Sequence, residues 1–106
     1  MNRKIYEMAE VYKAFSEPTR LMIVKLLASN NVDKPCVLDL ANKLNMTSAA
    51  VSQHLKVLKS IGIVEPQRKG NQVFYIFNAN TLRKYKEDID EMFDRVFINC
   101  DLNCVD

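Results

Sequence analysis

The stretch "VLDLANKLNMTSAAVSQHLKVLKSIG", residues 37–62, decides the fold. Its apolar residues recur at helical spacing in two blocks: Val37, Leu40, Ala41 and Leu44, then Val51, Leu55 and Leu58. Between the blocks, "NM" leaves room for a tight turn alone. Thr47 or Ser48 caps the second helix and Gly62 stops it. Two short helices joined in this way form a helix-turn-helix unit whose second helix is the reading helix. With Val51, Leu55 and Leu58 turned inward, Ser48, Ala49, Ser52, Gln53 and Lys56 fall on the outer side. Small and amide side chains let a helix approach base edges, and a glutamine can bond adenine through two hydrogen bonds.

Downstream the period changes. "IVEPQ" and "QVFYIFN" are short strand-like runs around "RKGN", whose glycine suits a hairpin tip. Arg68 and Lys69 at that tip are placed to meet a phosphate backbone. "ANTLRKYKEDIDEMFDRVFIN" then returns to helix, with Leu82, Tyr85, Ile89, Met92 and Val96 in a seam suited to a partner helix.

Upstream, "KIYEMAEVYKAF" carries Ile5, Met8, Tyr12 and Phe15 on one stripe. "SEPTRLMIVKLLAS" starts a further helix, capped by Ser16 or Glu17 with Pro18 in its first turn. Leu21, Val24 and Leu27, with Ile23 beside them, are its expected buried face. The predicted order is α-α-α-α-β-β-α in a mainly α, α+β chain.

At 106 residues and 48% hydrophobic, the chain has the size and apolar content of a single domain, residues 1–106. Residues 98–106 form a tail that carries cysteines. No apolar run reaches bilayer length and the N-terminus lacks a signal-peptide pattern, so a cytoplasmic protein without a membrane partner is expected. Charge is unevenly distributed. From Lys43 to Lys84 seven basic residues face one acid, Glu65; from Glu87 onward seven acids face one base, Arg95. A polyanion is therefore met by one surface. With one histidine and no phosphate loop or paired nucleophile and base, the chain is not expected to be an enzyme.

"AFSEPTRLMIVKLL", "VLDLANKLNMTSAAVSQHLKVLKSIGIVE" and "RKGNQVFYIF", in this order and spacing, resemble the ArsR/SmtB family of metal-sensing repressors from about Tyr12 to Phe77. The resemblance implies a winged helix-turn-helix homodimer, joined through its first and last helices, that leaves double-stranded operator DNA when an inducer binds. On that reading the DNA-binding set is Thr47, Ser48, Ala49, Ser52, Gln53, His54, Lys56, Arg68 and Lys69, and the dimer seam is Ile5, Met8, Tyr12, Leu82, Tyr85, Ile89, Met92 and Val96.

The family's inducer sites are incomplete in this chain. Arsenic and cadmium sensors often carry Cys-Val-Cys at the third helix, where this chain has Cys36-Val37-Leu38, and the next arsenic position is Ala41. The last helix holds no histidine, unlike that of zinc, cobalt and nickel sensors. Three thiols remain: Cys36, Cys100 and Cys104. If the last helix continues through the tail, Cys100 and Cys104 share a face at i and i+4. Thiolates without imidazole favour thiophilic ions. Arsenite is the leading expectation as inducer, with antimonite, cadmium, lead or zinc as alternatives. The plainer readings are Cys36 as a helix cap with Asp39 in a capping box, and Cys100 and Cys104 as idle thiols. Two other functions stay open: a thiol-redox or persulfide sensor on the same fold, and a winged helix that binds protein instead of DNA.

Overall fold

The computed structural model describes residues 2–29 and 34–103, of which 101–103 in backbone only. Its elements are α1 (Arg3–Phe15), α2 (Pro18–Ser29), α3 (Val37–Leu44), α4 (Ser48–Ser60), β1 (Val64–Lys69), β2 (Gln72–Phe77) and α5 (Ala79–Asn103). The order matches the expectation, and the architecture is a winged helix.

The core gathers around the reading helix. Val51, Leu55 and Leu58 of α4 pack with Ile23 and Leu27 of α2, Leu40 and Ala41 of α3, and Ile63 and Val64 at the start of the wing. Each such buried Val, Leu or Ile side chain contributes about 1.5–3 kcal/mol of transfer free energy. In α2 the expected face is corrected. Ile23 and Leu27 are buried, Val24 is half-buried, and Leu21 is 50% exposed. The run from Leu21 to Leu27 is apolar nearly all round, so its periodicity could not select the inward line; packing on α4 selects an i, i+4 pair.

The wing pairs Val64 with Phe77 through to Lys69 with Gln72, antiparallel. Gly70, at φ +63°, leads its two-residue turn, and Asn71 keeps an ordinary negative φ. This is the type II′ pattern that matches the twist of a hairpin. A third short strand segment, unmarked in the sequence, edges the sheet: Cys36 bridges Phe74, and Tyr75 donates its N–H to Pro35 O at 3.0 Å.

α1 and α5 lie antiparallel. Lys4 Nζ reaches Asp88 at 3.6 Å and Glu91 at 3.9 Å, while Lys84 reaches Glu7 at 4.0 Å. Beside these pairs, in which Asp88 is mostly buried, Met8 is buried as well. Past Met92 every described side chain of α5 is exposed, and the chain measures 61 Å along its longest axis. Its radius of gyration, 17.1 Å, exceeds the roughly 13 Å of a compact domain of this length. The distal half of α5 is responsible, because it stands clear of the body. No described helix is long and apolar enough to cross a membrane.

Candidate nucleic-acid interface and thiol positions

The turn between α3 and α4 is built by Asn45 in the left-handed region, φ 54° and ψ 49°. Asparagine tolerates this conformation better than most residues. Met46 N–H bonds back to Ala41 O at 3.0 Å, closing the helix end. Thr47 Oγ1 then accepts from Ala50 N–H at 3.1 Å and caps α4. These local bonds set the angle at which the reading helix leaves the turn.

With one side of α4 in the core, Ser48, Ala49, Ser52, Gln53 and Lys56 are all exposed, as expected. Thr47 is exposed at the same end, and Arg68 and Lys69 are exposed on the wing. Lys34 adds a cation that sequence reading left out. Its Nζ donates to Gln67 Oε1 at 2.8 Å and so sits against β1. No periodic signal marked it, because it precedes α3 in irregular chain.

His54 does not join this face. At about 100° per residue it lies roughly 160° around α4 from Lys56. Its ring, 20% exposed, points to α2: Nδ1 is 3.4 Å from Arg20 Nη1 and 3.8 Å from Glu17 Oε2. The placement of His54 among DNA-facing residues is thus corrected. Glu17 also accepts Arg20 N–H at 3.1 Å. Partial desolvation opposes its charge, but the Arg20 amide, His54 and Thr19 outweigh this and hold the carboxyl below its ordinary pKa.

Of the expected seam, Met8, Leu82 and Tyr85 are used within the chain. Leu82 and Tyr85 pack against the core, and Tyr85 OH donates to Ile61 O at 2.6 Å. Ile89 and Met92 are half-buried, whereas Ile5, Tyr12 and Val96 are exposed. Tyr6, Phe93, Phe97 and Ile98 extend the exposed apolar surface, with the Phe93 and Phe97 rings stacked at 6.3 Å.

Among the described residues, Cys36 and Cys100 are not brought together in one chain. Cys36 is the N-cap of α3, half-buried, with its N–H donated to Asp39 Oδ2 at 3.1 Å. The Cys36 amide, with its thiol second, holds the Asp39 carboxyl below its usual pKa. The capping-box reading of Cys36 and Asp39 is therefore present as a bond. Cys100 is exposed on α5, which does continue into the tail, and Cys104 lies outside the described residues. Ala79, the first residue of α5, shares a small cavity with Pro35 beside Cys36. At 1.5 Å per residue, Cys100 stands about 30 Å further along the helix. Among the described residues, no group of three His, Cys, Asp or Glu side chains is placed to hold a metal ion.

A capped turn, an exposed polar reading helix and a basic wing define the chain as a winged helix-turn-helix protein. Comparison with known proteins narrows this class. The model of the arsR family of bacterial regulatory proteins matches residues 17–66. The HTH-type transcriptional regulator MJ1325 of Methanocaldococcus jannaschii is 37% identical over 89 residues, covering 84% of this chain and 98% of that one. A homolog of the cadmium resistance regulatory protein CadC from Staphylococcus aureus is 32% identical, over 76% of this chain and 65% of its own. The homodimeric winged helix-turn-helix domain of Mb0332 from Mycobacterium bovis superposes with a TM-score of 0.67 at 26% identity, covering 95% of this chain and 86% of that domain. The chain belongs to the ArsR/SmtB family of transcriptional regulators. Its relatives are regulators and not enzymes.

Proposed function

We propose that this protein is a homodimeric repressor that leaves its operator when a thiophilic metal(loid), arsenite foremost, binds cysteine thiolates. The observation that carries the DNA half of this reading is the exposed set Ser48, Ser52, Gln53 and Lys56 on α4, flanked by Arg68 and Lys69. Its amides and hydroxyls suit base edges and its cations suit phosphates. Dimerisation is supported by the homodimeric Mb0332 domain and by the apolar distal face of α5, which a monomer would leave in water.

Inducer binding is assigned to Cys36, Cys100 and Cys104. The span from the start of α5 to Cys100 keeps Cys36 and Cys100 of one chain roughly 20 Å or more apart. A site using both would therefore join two subunits. Such a ligand would hold the start of α3 of one subunit against α5 of the other, and so bias the spacing of the two reading helices. The named cadmium resistance of the CadC homolog supports a thiophilic ion, with cadmium, lead or zinc as alternatives to arsenite.

The test starts from a duplex selected by this protein from a random-sequence pool. Arsenite added to the complex lowers affinity for that duplex in the wild type, and by linkage the duplex weakens arsenite binding by the same factor. An unchanged response in Cys100→Ser plus Cys104→Ser rules out the tail site. An unchanged response in Cys36→Ser alone removes Cys36 from the set.

A further inference from the structure

Close packing of Val51, Leu55 and Leu58 fixes which face of α4 meets the core. Directional contacts add to this restraint. Among the described residues, His54 is the one side chain of α4 with a polar contact to another helix, and that contact is to Glu17 and Arg20. Arg20 in turn grips α1. Its Nε donates to Ala14 O at 2.5 Å and its Nη2 to Lys13 O at 3.2 Å. These are carbonyls of the last turn of α1, which carry the negative end of the helix dipole; Lys13 O also accepts the Ser16 N–H at 3.3 Å and the Ser16 hydroxyl at 2.7 Å.

One guanidinium thus spans three elements: the end of α1, the start of α2 and the middle of α4. We propose that Arg20 is a positioning residue for DNA reading, which ties α4 to α1 through His54 so that the placement of α1 sets the pose of the reading helix. The inference rests on the DNA-reading and dimer assignments above, in which α1 borders the partner subunit. It adds a route from the subunit interface to the reading helix that needs neither a thiol nor the wing.

The chemistry constrains the contact. A guanidinium has donors and no acceptor, so a hydrogen bond from Arg20 requires His54 Nδ1 to accept, with the proton on Nε2. Lysine keeps the charge of Arg20 but lacks the planar fork that reaches two carbonyls and a ring at once. Glu17 Oε2, bonded to the Arg20 amide, lies 3.8 Å from the same Nδ1, so a proton there would turn the ring to Glu17 in place of Arg20.

The experiment compares wild type with Arg20→Lys, His54→Leu, the double variant and His54→Asn, whose amide oxygen can accept near the Nδ1 position. Affinity for the selected duplex and for a random duplex at low salt is measured, and circular dichroism checks the fold. Each of the first two variants weakens the selected duplex about tenfold, as loss of a charge-assisted bond would. The random duplex is held unchanged, the double variant is no weaker than the weaker single one, and His54→Asn recovers most of the loss. Equal losses on both duplexes, additive single losses or unchanged binding in folded variants would overturn the tie. Wild-type protein that retains no duplex would instead overturn the DNA-reading assignment, and this inference with it. Nitrogen NMR of the His54 ring tests the contact without DNA or variants: the Nε2–H tautomer is expected, and an Nδ1–H tautomer refutes it.

Discussion

Tyr85 OH donates to Ile61 O at 2.6 Å, across 24 residues of sequence. Ile61 is the C-cap of the reading helix, and Tyr85 lies in the second turn of α5. The bond fastens the last helix to the end of the reading helix inside one subunit. Burial, with Glu7 nearby, pushes the phenol pKa up, which keeps the hydroxyl a donor. Tyr85→Phe keeps the ring and removes the donor, leaving Ile61 O without its partner. It should cost about 1–2 kcal/mol, read as a melting temperature lower by several degrees. A melting curve equal to wild type would show that the bond adds nothing net.

Acid should expose the cap of α3. The folded Asp39 carboxyl titrates below its unfolded value, because the Cys36 amide and thiol donate to it. Its stabilisation is complete above the unfolded pKa and is lost as pH falls through the folded one. In Asp39→Asn, the stability profile should be flatter between about pH 5 and pH 2 than in the wild type. Parallel profiles from chemical denaturation would refute this.

The wing and the reading helix should separate in salt titrations. Arg68→Ala plus Lys69→Ala should reduce the slope of log affinity against log salt by about two and leave sequence preference intact. Gln53→Ala should leave that slope unchanged and lose about 1–3 kcal/mol of discrimination at one base pair. If the double wing variant altered preference and kept the slope, the roles would be reversed.

Gly70 tests the hairpin turn. A Cβ there would meet no atom within 4 Å, so Gly70→Ala carries no clash. The cost comes from φ +63° alone, about 1–2 kcal/mol. A variant as stable as wild type would mean that the turn relaxes to another type.

The helices, the wing and the reading face were legible in residues 37–77, because each rests on local regularities. Val51, Leu55 and Leu58 repeat at helical spacing, Thr47 caps, and Gly70 permits the left-handed turn residue. Such features need only near neighbours, so spacing and residue type suffice to reveal them. The same logic failed in α2, where an apolar run offered more than one inward face.

The candidate site was legible in part. The outward face of α4 follows from its inward one, but the direction of His54 does not. Arg20 reaches it across 34 positions, and Glu17 meets it from the start of the same helix as Arg20. Cys36 pairs with Phe74, and the length of α5 separates Cys36 from Cys100 within a subunit. Sequence by itself determined which residues share a face of one element. Tertiary structure alone decided which faces meet, because the approach of two helices is set by the packing of the whole core and leaves no period in the chain.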